Sequence, residues 1–256
     1  MRCQSVGLAS ILVLGVLAAV SPTAGATAAV GCDPSARFDV NGDGINDAVI
    51  GVPGEDVGGG ASRHVDAGTV TLDGERLNFR TPTQAVRDGI GYIPSERKVD
   101  GAVLGMSVND NLTLAHPDQV SKGPFIDPAL ERKTVRQWLD RLRVKTPSAT
   151  TLMRTLSGGN QQKVVLAKWL LDPDLRLLIL DTPTRGLDIG AKADVYQLIR
   201  ELAGKGLSVL LIADTLDEGI AMSHRVITMK DGRITGEFPS TPSNRPDKAD
   251  VLARMV

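Results

Sequence analysis

Long apolar runs in the second half of the chain are separated by a stretch with helical periodicity. Residues 177–180 form one run and residues 209–212 another, and an aspartate, Asp181 or Asp214, closely follows each. Continuous apolar runs of this length are typical of strands buried on both faces. Strands that alternate with helices indicate an α/β fold, which we place from about residue 68 to residue 256.

The stretch between these two runs predicts a helix. Its apolar residues recur at helical spacing, at Val195, Leu198, Ile199 and Leu202. Two glycines that follow, at positions 204 and 206, would end the helix. Further along, residues 226–229 and 233–238 flank an Asp-Gly pair, which is the pattern of a β-hairpin.

The first 29 residues have a different character. Arg2 precedes an apolar run over residues 6–20, and small residues occupy positions 24–28. A basic start, a short apolar run and a small-x-small site are typical of an export signal peptide, which we place at residues 1–29. The alternative is a buried or interfacial helix at the N-terminus.

A short acidic stretch predicts a calcium loop. Oxygen-bearing side chains fall at positions one, three, five and nine of residues 39–47, at Asp39, Asn41, Asp43 and Asp47. This spacing lets several oxygens converge on one hard cation. Residues 38–55 resemble an FG-GAP repeat, the calcium-binding blade unit of integrin-like propellers, and we assign residues 30–67 to such a small β segment. Only one copy is present, and the alternative is an Asx/Gly-rich turn that binds nothing.

Composition narrows the choice of partners. The net charge is -1 and aromatic residues make up 3% of the chain, so neither bulk attraction to nucleic acid nor a stacking surface for it is indicated. Three scattered histidines, His64, His116 and His224, lack metal-ligand spacing and are expected at the surface. Trp138 and Trp169 are expected in the core.

The sequence Leu-Ser-Gly-Gly-Asn-Gln-Gln at residues 156–162 carries the strongest functional signal. Two glycines let a backbone approach a phosphate closely, and a serine hydroxyl can donate a proton to it. A helix predicted over residues 160–171 would direct free N–H groups and its positive dipole end toward an anion. The heptapeptide resembles the signature motif of ATP-binding-cassette (ABC) ATPases, in the form used by sugar importers.

Other segments resemble further motifs of this family in the same order. Residues 90–98 resemble the Q-loop region, with Ser95 where most cassettes carry glutamine, and residues 104–112 resemble the start of the helical subdomain. Asp181 matches the Walker B carboxylate and Asp188 lies in a segment that resembles the D-loop. Residues 68–256 therefore resemble the second cassette of tandem ribose, xylose or galactose importers.

The resemblance implies nucleotide-binding residues and partners. It assigns Ser157, Gly158, Gly159, Gln161, Asp181, Ser95 and Asp188 to binding of ATP with Mg²⁺. It also implies a partner cassette and a membrane permease, with the sugar bound by other subunits.

The sequence departs from the family at three places. The phosphate-binding pattern Gly-x-x-x-x-Gly-Lys-Ser/Thr does not occur. Thr182 stands where active cassettes have a glutamate, and a threonine cannot act as a general base near neutral pH. Asp214 stands where a phosphate-sensing histidine is usual, and its charge would repel phosphate.

Three interpretations follow from these departures. The chain could lend residues 156–162 to a partner's ATP site without hydrolysing ATP alone. It could be an exported calcium-binding protein with a passive cassette, or a gene fusion without function. The location is open as well, because a cassette works on cytoplasmic ATP whereas a signal peptide implies export.

Overall fold

The computed structural model describes residues 38–39, 50–51, 71–72, 75–77, 81–230, 233–241 and 243–255. Among these residues, no helix is both long and apolar enough to cross a membrane. The predicted signal peptide and three of the four predicted calcium ligands, Asn41, Asp43 and Asp47, lie outside the described residues.

Eleven strands and seven helices are present in the described parts of the chain. The strands are β1 (Phe38–Asp39), β2 (Ile50–Gly51), β3 (Thr71–Leu72), β4 (Glu75–Arg76), β5 (Ile90–Ile93), β6 (Ser121–Lys122), β7 (Phe125–Ile126), β8 (Leu177–Asp181), β9 (Ser208–Ile212), β10 (Arg225–Lys230) and β11 (Arg233–Pro239). The helices are α1 (Pro82–Arg87), α2 (Val108–Thr113), α3 (Pro128–Arg141), α4 (Gly158–Leu170), α5 (Ile189–Gly204), α6 (Leu216–Met222) and α7 (Lys248–Ala253). A π-helical turn covers Arg97–Gly101, and 3-10 turns cover Pro117–Val120 and Met153–Thr155.

Strands β5, β8 and β9 form a parallel sheet in that order. Ile93 pairs with Leu180, and Asp181 pairs with Ile212. The two predicted apolar strands are confirmed as β8 and β9, and β9 is buried along its whole length. All three strands run in one direction, so the loops that follow them leave from the same edge of the sheet, where α/β proteins bind ligands.

The predicted hairpin is confirmed as β10 and β11, which pair antiparallel with an irregularity between Thr228 and Met229. Strand β2 pairs parallel to β10, Ile50 opposite Thr228. Strand β1 pairs antiparallel to β3. These two pairings join the segment that we assigned to an FG-GAP repeat, residues 30–67, to strands of the cassette region.

Helix α4 is the centre of the core. Its inward side chains, Val164, Val165 and Leu166, are almost fully buried and belong to one apolar cluster that also includes β8, β9 and α5. Burying a large aliphatic side chain contributes ~1.5–3 kcal/mol, so this helix is firmly fixed. It begins at Gly158, two residues before the predicted start, because Ser157 caps it.

Two histidine predictions were wrong. His116 is only 6% exposed and packs edge-to-face on Trp169, with 6.0 Å between ring centroids. His224 is half-buried between α6 and β10. An imidazole ring has apolar faces, so it can pack on an indole that lies far away in sequence. The placement of Trp138 and Trp169 against the core is confirmed.

Candidate functional site

The signature segment presents hydrogen-bond donors at the start of α4. The Ser157 hydroxyl oxygen accepts from the Asn160 side-chain amide at 2.9 Å and from its backbone N–H at 3.5 Å. Because the oxygen is the acceptor in both bonds, the hydroxyl proton can be donated elsewhere. Gly158 and Gly159 are the first two helical residues, and amides at these positions have no intrahelical acceptor. Ser157 is exposed, Gly158 is partly exposed and Gly159 is buried, so the Ser157 hydroxyl is the donor most open to a ligand.

Gly159 brings this segment against the beginning of α5. A Cβ atom on Gly159 would lie 2.7 Å from the Cβ of Ala191, a distance that two carbon atoms cannot adopt. Asp188 caps α5, and its carboxylate accepts from the Ala191 N–H at 2.8 Å. The predicted D-loop residue and the predicted signature glycine are therefore joined through one alanine.

Gly158 makes a second contact, with Arg97. A Cβ on Gly158 would lie 2.6 Å from Nη2 of Arg97 and 3.3 Å from Cδ2 of Leu187. Arg97 Nη1 donates to the backbone carbonyl of Arg185 at 2.9 Å, and Arg185 forms an ion pair with Glu96 at 3.1 Å. Burial lowers the pKa of Arg97, while the nearby Glu96 carboxylate acts in the opposite direction.

Gln161 supports the segment from inside the protein. Its side chain is only 5% exposed and donates to the carbonyls of Met153 at 3.2 Å and Leu156 at 3.1 Å. The resemblance made it a nucleotide-binding residue, whereas its side chain here shapes the chain that leads into the signature motif.

A second group of predicted residues lies at the carboxyl ends of the parallel strands. Asp181 is the last residue of β8, and Ser95 follows β5 by two residues. The Asp181 carboxylate accepts from the Tyr92 hydroxyl at 3.5 Å and from the Thr182 hydroxyl at 3.3 Å. Burial, and next the Asp181 charge, raise the pKa of Tyr92. Carboxylate oxygen is a ligand that Mg²⁺ prefers, so the type of donor fits the prediction for Asp181.

Asp214 has a cationic neighbour that the sequence did not reveal. Lys192 Nζ lies 3.0 Å from the Glu218 carboxylate and 3.8 Å from that of Asp214. Tyr196, one turn along α5, shares a hydrogen bond with Thr184 at 2.9 Å. The expected repulsion between Asp214 and a phosphate is thus moderated by the Lys192 ammonium group.

Several site residues escaped the sequence analysis. Tyr92 and Arg97 lie in the segment that resembles the Q-loop region, and Lys192 lies in the predicted helix. The role of each depends on a contact with a residue of another segment. Of the predicted calcium ligands, only the backbone of Asp39, in β1, is described. Among the residues open to such a search, no group of three metal-binding side chains occurs.

Solved structures identify the fold. A dimeric ATP-binding cassette in a post-hydrolysis state, bound to ADP and Pi, matches with a TM-score of 0.56 at 22% identity, over 68% of this chain and 74% of that one. A nucleotide-free ATP-binding cassette from an ABC transporter matches with a TM-score of 0.56 at 20% identity, over 73% and 74% of the two chains. The described residues therefore have the α/β fold of an ABC ATPase cassette.

The sequence is similar to that of ATP-binding subunits of sugar importers. Residues 61–185 match the family described as ABC transporter. A putative ribose/galactose/methyl galactoside import ATP-binding protein of Rhizobium etli is 44% identical over 173 residues, 68% of this chain and 33% of that protein. A xylose import ATP-binding protein of Geobacillus kaustophilus is 45% identical over 179 residues, 70% and 35% of the two chains. The chain thus resembles sugar-import ATP-binding subunits and spans about a third of their length.

Proposed function

We propose that this chain completes an ATP site of a sugar importer by lending its signature segment to a partner cassette. The observation that carries the proposal is the exposed hydroxyl of Ser157 beside the partly exposed Gly158 at the start of α4. Arg97 lies against Gly158, and the buried Gly159 packs against Ala191. The resemblance to ribose, galactose and xylose import subunits supports the sugar-importer part of the proposal.

The donor set fits a terminal phosphate. Bound ATP with Mg²⁺ supplies the phosphoryl group that is transferred to water. The Ser157 hydroxyl and the first amides of α4 bind and orient a phosphate, since a helix N-terminus favours negative charge. Asp188 caps α5, whose Ala191 packs against Gly159. Thr182 supplies no general base, so this chain alone does not hydrolyse ATP.

The remaining partners follow from the same proposal. A membrane permease carries the sugar, which this chain does not touch, and ATP hydrolysis at the cytoplasmic face drives import. Asp181 and Ser95 lie at the carboxyl edge of the sheet. To hold a nucleotide at that edge, this chain would also need a phosphate-binding loop.

Reconstitution tests the proposal. The full chain is mixed with an intact sugar-importer cassette, and phosphate release is measured. We expect turnover above that of the partner alone, and Ser157→Arg should cut this increment because a donor aimed at developing charge contributes about 3 kcal/mol. Ser243→Arg, at an exposed serine between β11 and α7, is the matched control.

A turnover no higher than the partner's alone, or one unchanged by Ser157→Arg, would reject the proposal. A gene fusion without function would then be the better interpretation. An exported calcium-binding protein would require calcium-dependent behaviour of residues 38–55 instead.

A further inference from the structure

Arg97 joins three segments that are distant in sequence. It is the first residue of the π-helical turn, its guanidinium lies against Gly158 at the start of α4, and it donates to the Arg185 carbonyl after β8. One planar donor group therefore connects the end of the Q-loop-like region, the signature segment and the turn that leads to α5.

The turn that carries Arg97 is itself fixed. The buried Lys168 ammonium group on α4 donates to the carbonyl of Gly101, the last residue of the turn, at 2.7 Å. Within the turn, the N–H groups of Val99 and Asp100 donate to the Glu96 carbonyl at 3.0 and 2.9 Å. The turn is thus closed by its own backbone bonds and anchored on α4 at Gly101, while the Arg97 guanidinium reaches Gly158 and the Arg185 carbonyl.

The electrostatic surroundings of Arg97 act in opposite directions. The N-terminus of a helix carries positive partial charge, which disfavours an adjacent guanidinium. The neighbouring carboxylate, Glu96, favours the charge on Arg97 but forms its ion pair with Arg185. Among the described residues, none of the ion pairs involves Arg97. The position of the guanidinium is accounted for by the two segments that it bridges, at Gly158 and at the Arg185 carbonyl.

We propose that Arg97 is a positioning residue that holds the signature segment and the 182–187 turn in one fixed relation while the partner's nucleotide is bound. This inference rests on the proposed function. Removal of the bridge frees Gly158 to shift relative to Ala191 and the Asp188 cap, and a displacement of about 1 Å in a catalytic group can cost on the order of a hundredfold in rate. Most contacts to the nucleotide come from the partner, so its KM should change little.

The test combines kinetics and hydrogen exchange in the full chain. Arg97→Met keeps side-chain length without donors, and Arg97→Lys keeps one donor without the planar fork. In the reconstituted complex, Arg97→Met should lower kcat at least about tenfold and should change the KM for ATP by no more than about twofold. Arg97→Lys should lower kcat by a smaller factor. Arg154→Met, at an exposed arginine of the Met153–Thr155 turn, is the matched control and should behave as the unchanged protein.

A second measurement needs no nucleotide. In the isolated chain, amide hydrogen exchange over residues 157–161 and 184–188 should become faster in Arg97→Met and remain unchanged in Arg154→Met. If Ser157→Arg suppresses turnover while Arg97→Met does not, this inference is wrong and the proposed function stands. Unchanged exchange in both segments, or equal losses of kcat for Arg97→Lys and Arg97→Met, would also overturn it. If Ser157→Arg has no effect, both proposals fail.

Discussion

Gly159 at the start of α4 lies so close to Ala191 in α5 that a methyl group on it would come within 2.7 Å of the alanine Cβ. Neither atom belongs to a flexible side chain, so relief would require one helix to move. A glycine at this place thus serves helix packing in addition to any approach of a phosphate. The start of α4 and the first turn of α5 therefore pack directly against each other.

Gly159→Ala should destabilise the protein. Overpacking of a close helix contact costs about 1–3 kcal/mol, which would appear as a lower free energy of unfolding in urea titrations. The double variant Gly159→Ala/Ala191→Gly removes the clash and should recover most of the loss.

Gly204→Ala is the matched control for this prediction. Gly204 ends α5, and a Cβ there would meet nothing within 4 Å. Its replacement should leave stability unchanged or raise it by about 0.4–1 kcal/mol. A Gly159→Ala protein as stable as Gly204→Ala would contradict the packing argument.

Thr182 adopts a positive φ of 40°, which is unfavourable for a β-branched residue. Its N–H donates to the Ile212 carbonyl at 2.7 Å, which holds the backbone there. Glycine has no such penalty, so Thr182→Gly should raise the free energy of unfolding by about 1 kcal/mol. Thr182→Val loses the hydroxyl but keeps the branched side chain, and it should give no gain. Equal stability of the two variants would argue against strain at this position.

His224 predicts a loss of stability in mild acid. Burial lowers the pKa of His224 from 6.5 to about 4. As pH falls below 6.5, His224 becomes protonated in the unfolded chain but stays neutral in the folded chain. The free energy of unfolding therefore declines until about pH 4, where His224 is protonated in both states. Between pH 7 and pH 4, the unchanged protein should therefore lose unfolding free energy relative to the His224→Gln variant. A difference that does not depend on pH would show that burial does not lower the pKa of His224.

The isolated protein should bind ATP poorly. The sequence lacks the loop pattern whose backbone N–H groups and lysine contact the phosphates of ATP, so those contacts would be missing. Isothermal titration calorimetry should detect no micromolar affinity for ATP with Mg²⁺. An affinity in that range would mean that another segment replaces the loop.

The sequence predicts the regular elements of the cassette well, because their signals are local. The apolar runs at β8 and β9 indicate burial, and the glycines at the end of α5, Gly204 and Gly206, indicate chain reversal within a few residues. The helix α4 begins two residues before the predicted start. Glycine is a weak helix former, so the pair Gly158–Gly159 gives little sign that the helix has begun.

What the sequence could not predict depends on partners far away along the chain. His116 looks like an ordinary surface residue until Trp169 is brought beside it. Arg97 is one of many arginines until the π-helical turn places it between Gly158 and Arg185. Gln161 belongs to a functional motif, yet its side chain is directed inward by two carbonyl groups that precede it.

The parallel pairing of β2 with β10 has a consequence for the order of folding. Ile50 leaves the ribosome early, whereas its partner Thr228 lies near the other end of the chain. At about 5–20 residues per second, synthesis of the intervening chain takes on the order of ten seconds. During that interval the backbone groups of residues 50 and 51 lack their partners on β10, and unpaired strand edges are templates for pairing with other chains. Completion of the C-terminal hairpin is therefore the event that closes this part of the sheet.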